Sequence, residues 1–310
     1  MASGSKKVIY AALLGNALIA VTKFIAAFVT RSSAMFSEAI HSVVDTGNQV
    51  LLLWGLKRAQ RPADRRFPFG HGKEIYFWSF VVAILIFAVG AGISVYEGVK
   101  HLLHPQPVHN PEVNYVVLAL AMVFEGAAWF FAWREFRKVK GGYGYIQAVQ
   151  RGKDPSMFVV LFEDTAAMLG LIVAFLGVFL GQVTGSPYFD GAASVVIGVI
   201  LGATAIWLAY ETHGLLIGEG ANPEVVEQIR QIVGRQDSIV HVNEIATMHM
   251  GPEYILVNLS VDFDSEASSD DVESIVGQLD RELKAALPRV KRVFVEAEAR
   301  RARPAPSAPA

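Results

Sequence analysis

The sequence predicts a membrane all-α bundle of six helices followed by a small α+β domain. Three observations support this fold class. The 310-residue chain is 53% hydrophobic but only 18% charged, whereas soluble globular domains are nearer a quarter charged. Six apolar segments are each long enough to cross a bilayer, which takes about 17–25 residues. After residue 215 the composition becomes that of a soluble domain, and apolar residues alternate along one segment as in a half-buried strand.

The six apolar segments occupy most of the first 215 residues. They are Val8–Thr30, Ala34–Leu56, Ile75–His101, Val113–Phe136, Met157–Gln182 and Phe189–Leu215. The first follows two lysines, but its apolar run is longer than that of a signal peptide and five more segments follow, so we interpret it as a membrane span. The predicted organisation is an N-terminal segment (1–7), a transmembrane domain (8–215), a C-terminal domain (216–298) and a disordered tail (299–310).

Lysine and arginine concentrate in two connections of the predicted bundle. The Leu56–Ile75 and Phe136–Met157 connections are rich in both residues, whereas the connections on the opposite side have few. Short cytoplasmic loops carry an excess of Lys and Arg. Both basic loops and both termini are therefore predicted to be cytoplasmic. We expect the membrane to be a bacterial plasma membrane, with an organelle membrane as the alternative.

The C-terminal domain is predicted from spacing and capping signals. "PEVVEQIRQIVGR" has helical spacing, and "EYILVNLSVDFD" alternates strictly after its expected hairpin partner "SIVHVNEIATMHM". Ser268 and Asp271 predict a capping box for the next helix, and "VKRVFVEAE" is the last strand. The order α-β-β-α-β predicts one sheet with helices on one face, of the ferredoxin-like type.

Ionisable side chains interrupt two of the predicted spans. At 100° per residue, Glu38, His41, Asp45 and Asn48 lie within an arc of about 100° and form one polar stripe on the second span. Glu163 and Asp164 lie on the fifth span. Each such group costs about 2.5–3.5 kcal/mol at mid-membrane on insertion scales, so the two spans should face each other or a water-filled cavity. His and Asp four residues apart can bind one ion from the same side, which favours a nitrogen/oxygen site for a divalent cation.

Other interpretations of these polar residues stay open. They could hydrogen-bond across the bundle to hold helices together, or they could relay protons without a metal. Glu125 in the fourth span could serve packing as readily as function, and Asp190 could be a helix N-cap or a ligand. Gly198 and Gly202 indicate helix packing more than a specific dimer. The chain has no cysteine, which excludes thiolate zinc sites and disulfides.

The combination of these features resembles a known family. Six spans, His41-x-x-x-Asp45, the loop "PFGHGKE", an acidic fifth span and the α-β-β-α-β domain are similar to the cation diffusion facilitator family. "SEAIHSVVDTGNQ" and "LFEDTAAMLG" look most like its mitochondrial zinc transporter 9 branch and the bacterial relatives of that branch. The resemblance implies a metal/proton antiporter, usually of zinc, and not an enzyme.

The resemblance also implies a set of ligands. The family's transport site takes two ligands four residues apart from each of the second and fifth spans. His41 and Asp45 match the first pair, and Asp164 matches one member of the second. The remaining position is Val160, which cannot bind a metal. Glu163 or water is therefore expected to complete the shell.

Two further groups of candidate ligands follow. Glu38 lies on the same stripe as the first pair, and Asp64 and His71 match loop positions that bind a second ion in the family. Another loop histidine position of the family is Phe67 here, which weakens that second site.

The C-terminal domain offers its own set of candidates. Similar proteins bind zinc through histidines near the last strand, where this chain has glutamates. The candidate residues are His241, His249, Glu296 and Glu298.

The sequence therefore predicts a homodimeric transporter that exports a divalent cation from the cytoplasm in exchange for protons. The expected ion is Zn²⁺, with Mn, Fe, Co, Ni or Cd as alternatives, and no prosthetic group or nucleic acid partner is expected. Two other functions are a membrane-anchored metal sensor and a proton-relay protein without metal transport. An intramembrane metal hydrolase is disfavoured because the chain has no H-E-x-x-H motif.

Overall fold

The computed structural model describes the backbone of residues 3–300 and the side chains of residues 16–138, 140–156 and 158–300. Residues 1–2 of the predicted N-terminal segment and residues 301–310 of the predicted tail lie outside the described residues. The chain divides into two compact units. The first comprises the residues up to Arg58 together with Glu74–His213, and the second comprises Ala59–Lys73 together with the residues from Gly214 onward.

Long helices make up most of the described first unit. The first two are α1 (Ser3–Thr30) and α2 (Ser33–Ala59). A third long helix consists of α3 (Glu74–Leu85), a π-helical segment (Ile86–Ala91) and α4 (Gly92–Leu103). The remaining helices are α5 (Pro111–Lys140), the short α6 (Tyr145–Arg151), α7 (Pro155–Thr184) and α8 (Tyr188–Ile217).

Four helices of the described chain are long and apolar enough to cross a membrane. They are Glu74–Leu103, Pro111–Lys138, Phe158–Thr184 and Tyr188–Ile217. For α1, only Asn16–Thr30 has described side chains, and this apolar stretch is shorter than the four helices above. For α2, the polar stripe lowers the mean hydropathy of the helix. The chain is thus a multi-pass membrane protein, and the count of six spans stays a prediction.

Local signals account for where the helices begin and end. Asp154 precedes α7, and its side chain accepts a hydrogen bond from the Ser156 backbone N–H at 3.1 Å. Pro155 follows at the first helical position, where a missing N–H costs nothing. The helix ends at Gly185, whose φ of 69° lies in the left-handed region that glycine adopts without strain.

Asp190 joins the start of α8 to the start of α2. Its carboxylate accepts hydrogen bonds from the Ser33 backbone N–H at 2.6 Å and from the Ser32 hydroxyl at 2.5 Å. One turn further along, the hydroxyls of Ser37 and Ser194 lie 2.6 Å apart. Asp190 therefore caps the N-terminus of a neighbouring helix, which fixes the position of the polar stripe on α2.

Small residues let α8 and α4 approach each other closely. A Cβ atom built on Gly198 would lie 2.9 Å from the backbone nitrogen of Val95, and one built on Gly98 would lie 2.7 Å from that of Val195. Neither position can accept a side chain without moving a backbone. In the described residues, Gly198 thus serves the packing of α8 against α4.

The second unit contains the predicted order α-β-β-α-β. Its elements are α9 (Pro223–Val233), β1 (Ile239–Gly251), β2 (Tyr254–Phe263), α10 (Ser269–Ala286) and β3 (Val290–Ala297). The sheet order is β1-β2-β3, with β1 antiparallel and β3 parallel to β2. A complete ferredoxin-like motif has four strands, whereas the described residues form three, so the ferredoxin-like assignment stays a prediction.

One face of the sheet forms the core of this unit. The alternating residues Ile255, Val257, Leu259 and Val261 of β2 are all at most 3% exposed. They pack with residues of both helices, including Leu279 of α10. The predicted alternation of β2 and its hairpin with β1 are therefore confirmed, as is the capping box, in which Ser268 and Asp271 bond to each other's backbone N–H.

The Ala59–Lys73 loop belongs to the second unit by its contacts. A Cβ atom built on Gly72 would meet the Met250 carbonyl oxygen and lie 3.2 Å from the Cα of Gly251. The ring of Phe69 lies 6.4 Å from that of Phe294 on β3, edge to face. The loop that connects α2 with α3 is therefore packed directly on the sheet.

Candidate metal transport site

The polar stripe on α2 lies inside the helical unit. Glu38 and Asn48 are fully buried, His41 is 1% exposed and Asp45 is 8% exposed. Because the residues recur at helical spacing, they share one face, and the cap from Asp190 at the start of α2 holds that face inward. The sequence predicted this stripe, and the structure encloses it in protein.

The acidic pair on α7 faces this stripe. Glu163 is 4% exposed, and its Oε1 accepts a hydrogen bond from Asn48 Nδ2 at 2.5 Å. The carboxyl groups of Glu163 and Asp45 lie within hydrogen-bonding reach of each other, and Asp164 interacts electrostatically with Asp45. The carboxylates of α2 and α7 are thus brought together. We expected this because placing an isolated ionisable group in the membrane costs free energy.

Several buried atoms of this cluster have no hydrogen-bond partner among the described residues. They are both ring nitrogens of His41, Oδ1 of Asp45, Oδ1 of Asn48 and Oε1 of Glu38. Nδ1 of His41 lies 3.2 Å from Oδ1 of Asp45, but the two atoms do not have the geometry of a hydrogen bond. Buried polar atoms are almost always paired, and an ion bound by nitrogen and oxygen atoms would supply the missing partner.

The cluster is not a closed shell. Within the described residues, no three His, Asp or Glu side chains are placed to hold one metal ion together. Val160, one turn before Asp164 on α7, contributes no polar atom. The structure therefore gathers His41, Asp45 and Glu163 into one region without the final geometry of a bound ion.

Lys23 of α1 is a component of this region that the sequence analysis missed. It is fully buried, and its ammonium donates to Glu38 Oε2 at 3.1 Å and to the Ser42 hydroxyl at 2.8 Å. A signal was present, because Lys23 is a charged residue inside an apolar segment. Charges within a membrane span are rare and usually functional.

Glu125 of α5 also belongs to the region. It is 7% exposed and interacts electrostatically with Glu38, Asp45 and Asp164. The sequence left open whether this residue serves packing or function. Its carboxylate is thus one of five acidic groups in the same part of the bundle.

The two loop candidates contact each other. The Asp64 carboxylate lies 3.0 Å from Nε2 of His71 and accepts hydrogen bonds from the backbone N–H groups of Phe67 and Arg66, both at 2.8 Å. These bonds, first that from Phe67 and then that from His71, lower the pKa of Asp64. The Phe67 ring packs against the His71 ring with centroids 4.6 Å apart, so the position of the family's other histidine is filled by an apolar contact.

The four C-terminal candidates are not gathered at one point. His241 pairs in register with Asp262, near one end of β1, whereas His249 pairs with Ile255 near the other. On β3, Glu296 accepts from Asn258 at 3.1 Å. Glu298 accepts from the Ser260 hydroxyl at 2.7 Å. Among the described side chains of this unit, these residues form hydrogen bonds typical of a sheet and no common metal cluster.

The chain matches one family model and is similar to two relatives of the same name. Residues 9–217 match the family model of the cation efflux transmembrane domain. The chain is 34% identical over 291 residues to the mitochondrial proton-coupled zinc antiporter SLC30A9 of Xenopus laevis, covering 91% of this chain and 52% of that protein. It is 36% identical over 263 residues to the human protein of the same name, covering 84% and 46%.

A bacterial relative is more distant but of similar length. The chain is 22% identical over 301 residues to the manganese efflux system protein MneP of Bacillus subtilis, covering 94% of this chain and 95% of that protein. By contrast, the chain spans about half the length of the two SLC30A9 relatives.

Proposed function

The chain belongs to the cation efflux family, whose members are transporters rather than enzymes, and we propose that it exports a divalent metal ion in exchange for protons. The family match covers most of the helical unit. The proposed ion is Zn²⁺, because the relatives at 34% and 36% identity are zinc antiporters by name. The relative at 22% identity is named for manganese efflux, so Mn²⁺ is the alternative ion.

The observation that carries the proposal is the set of unpartnered polar atoms between α2 and α7. Both His41 nitrogens and one Asp45 oxygen are buried without a hydrogen-bond partner among the described residues, beside the carboxylates of Glu163 and Asp164. We assign His41, Asp45 and Asp164 as ligands, with Glu163 or water in the position left open by Val160. One imidazole with several carboxylates suits Zn²⁺ and other divalent ions of its series.

Exchange for protons follows from the chemistry of these ligands. A carboxylate or imidazole must lose its proton before it binds a metal ion, so protons and metal compete for the same atoms. An ion that enters from the cytoplasm displaces protons, and protons that enter from the other side displace the ion. The site is then occupied by the two substrates in turn, which gives antiport a physical basis.

The arrangement in the membrane is part of the proposal. We assign six spans, with the termini and the two basic loops in the cytoplasm of a bacterial cell, on the basis of the Lys and Arg distribution. A homodimer paired through the C-terminal domains is what the resemblance to the family implies. Single cysteines placed at Arg65 and Gly142 test the orientation, because both should be protected from an impermeant thiol reagent applied to intact cells.

Uptake of ⁶⁵Zn²⁺ into proteoliposomes with an imposed pH gradient tests the function. We expect uptake that depends on the gradient and that unlabelled Mn²⁺ inhibits only weakly. Protons should leave the lumen as Zn²⁺ enters it, so uptake should make the lumen more alkaline. Binding of ⁶⁵Zn²⁺ without uptake would favour a membrane-anchored sensor. Proton flux that is indifferent to metal would favour a proton relay. Either result would reject the proposed antiport.

A further inference from the structure

Lys23 occupies an enclosed position beside the proposed transport site. Its side chain and that of Glu38 are both fully buried, with 3.1 Å between Nζ and Oε2, and Ser42 supplies a second acceptor at 2.8 Å. A buried ion pair gives little net stability, because the cost of desolvating both charges offsets their attraction. Its presence beside a cluster of carboxylates therefore calls for another explanation.

Only one carboxylate oxygen of Glu38, Oε2, takes part in the ion pair with Lys23. Its Oε1 has no hydrogen-bond partner among the described residues. On the other side, α7 closes over it, since a Cβ atom built on Gly170 would collide with that oxygen. The carboxylate is thus confined between Lys23 on α1 and the glycine on α7, one turn away from His41 on the same helix face.

Lys23 interacts with other groups besides its partner Glu38. It acts electrostatically on His41 and on Glu125, in addition to Glu38. The region otherwise contains Glu38, Asp45, Glu125 and the α7 pair, so Lys23 is the one lysine or arginine side chain described there. Without it, a divalent ion at His41 and Asp45 would experience the full charge of Glu38 as well.

We infer that Lys23 is a positioning residue of the transport site: it holds Glu38 away from the ion and cancels its charge, so that the ion binds weakly enough to leave. This inference rests on the proposed function. An ion pathway needs binding that is favourable enough for entry but weak enough for release. Glu38 is accordingly not a ligand in this assignment, although its position on the stripe had suggested that role.

The inference is tested with three variants in the full chain: Lys23→Met, Glu38→Gln and the double variant. Equilibrium dialysis with ⁶⁵Zn²⁺ at pH 8 measures affinity, and the binding that Asp45→Ala removes defines the transport site. We expect Glu38→Gln to weaken binding by about tenfold, because it leaves the ammonium unbalanced next to a divalent cation. Lys23→Met should tighten binding, and in proteoliposomes it should lower both KM and kcat for Zn²⁺.

The double variant makes the test decisive. It removes both charges together, so its affinity should return to within about threefold of the unmodified protein, as expected when two coupled changes cancel. It also leaves neither member of the Lys23–Glu38 pair as an unpaired charge, so its folding can be checked by size-exclusion chromatography even where Lys23→Met does not fold. Lys100→Met is the matched control, since Lys100 forms an exposed pair with Glu97 at 3.2 Å, and it should leave affinity unchanged.

Three outcomes would overturn the inference. If the double variant binds as weakly as Glu38→Gln, then Glu38 is itself a ligand. If both single variants weaken binding, the pair only supports the fold. If none of the three changes affinity, the pair is irrelevant to the ion. The proposed function would fail differently, because the unmodified protein would then bind or transport no Zn²⁺ at all.

Discussion

The two units of this protein contain similar polar residues in opposite states. In the sheet unit, Glu298 accepts a hydrogen bond from Ser260 at 2.7 Å, and Glu296 accepts one from Asn258 at 3.1 Å. In the helical unit, His41 has two ring nitrogens without a partner among the described residues. Side chains of both kinds were candidate ligands from the sequence. This difference supports His41 as a proposed ligand, because its ring nitrogens are buried without partners whereas the Glu296 and Glu298 carboxylates already accept hydrogen bonds.

A corollary concerns where substitutions should affect function and where they should affect stability. A group that already has its hydrogen bonds contributes to the fold, and its loss leaves partners unsatisfied. A group without partners costs stability in the absence of its ion, and its loss should remove function while leaving the fold intact. Substitutions in the two units test this division, because each removes either a group without partners or a group whose contacts are already made.

Asp45→Ala and Asp164→Ala should each reduce ⁶⁵Zn²⁺ uptake to the level of empty liposomes while the protein elutes normally from a sizing column. Each change removes a proposed charged ligand from a shell of few protein groups. Glu135→Ala is the control, because Glu135 is an exposed carboxylate of the same unit that pairs with Lys138, and it should transport normally. Normal transport by Asp164→Ala would show that the site is assigned to the wrong residues.

The sequence predicted the candidate ligands of this site but not all of the side chains that surround them. Helical spacing was sufficient to place Glu38, His41 and Asp45 on one face, because that face depends only on the 3.6-residue period. The partner of Glu38 depended instead on how α1 packs against α2, which spacing within one helix does not encode. Lys23 was therefore missed, although its charge in an apolar segment was visible in the sequence.

His41→Asp should raise the ratio of Mn²⁺ to Zn²⁺ transport severalfold. The change keeps a ligand on the same face of α2 but makes every protein ligand an oxygen, which suits harder ions. Initial rates of both ions in proteoliposomes measure the ratio, and Glu135→Ala again provides the reference. An active variant with an unchanged ratio would place His41 outside the ion's ligands and would favour a proton relay.

Gly72→Ala should destabilise the contact between the Ala59–Lys73 loop and the sheet. The added Cβ would meet the Met250 carbonyl oxygen and the Gly251 backbone, and such overpacking costs about 1–3 kcal/mol. Limited proteolysis at the arginines of the loop should become faster. Gly142→Ala is the matched control, because nothing lies within 4 Å of a Cβ built there. Equal protease resistance of Gly72→Ala and the unmodified protein would contradict the packed loop.

This loop marks the boundary of what the sequence could predict about the second unit. Alternation along β2 and the capping box depend on local spacing, and both are present in the structure. The packing of Gly72 against β1 depends on a close approach between segments that are distant in the chain. A single glycine in a loop of unknown path does not reveal which backbone will lie beside it.

Ser268→Ala should have the smallest effect, about 1 kcal/mol of stability at the start of α10, which is typical of losing an N-cap. Ser268 accepts from the Asp271 N–H, and Asp271 accepts from the Ser268 N–H and hydroxyl. These bonds, first that from the hydroxyl, lower the pKa of Asp271. Because its pKa is lowered in the folded state, Asp271 stabilises that state at pH values above the ordinary Asp pKa of about 3.9. This contribution is lost as the pH falls through the lowered pKa. Hydrogen exchange of the first turn of α10 should therefore differ between the two proteins near pH 6, and the difference should narrow as the pH falls through the lowered pKa of Asp271, leaving the part that comes from the bond between the Asp271 N–H and the Ser268 hydroxyl. A difference that persists unchanged into acid would mean that the serine hydroxyl acts alone, without the aspartate that completes the box.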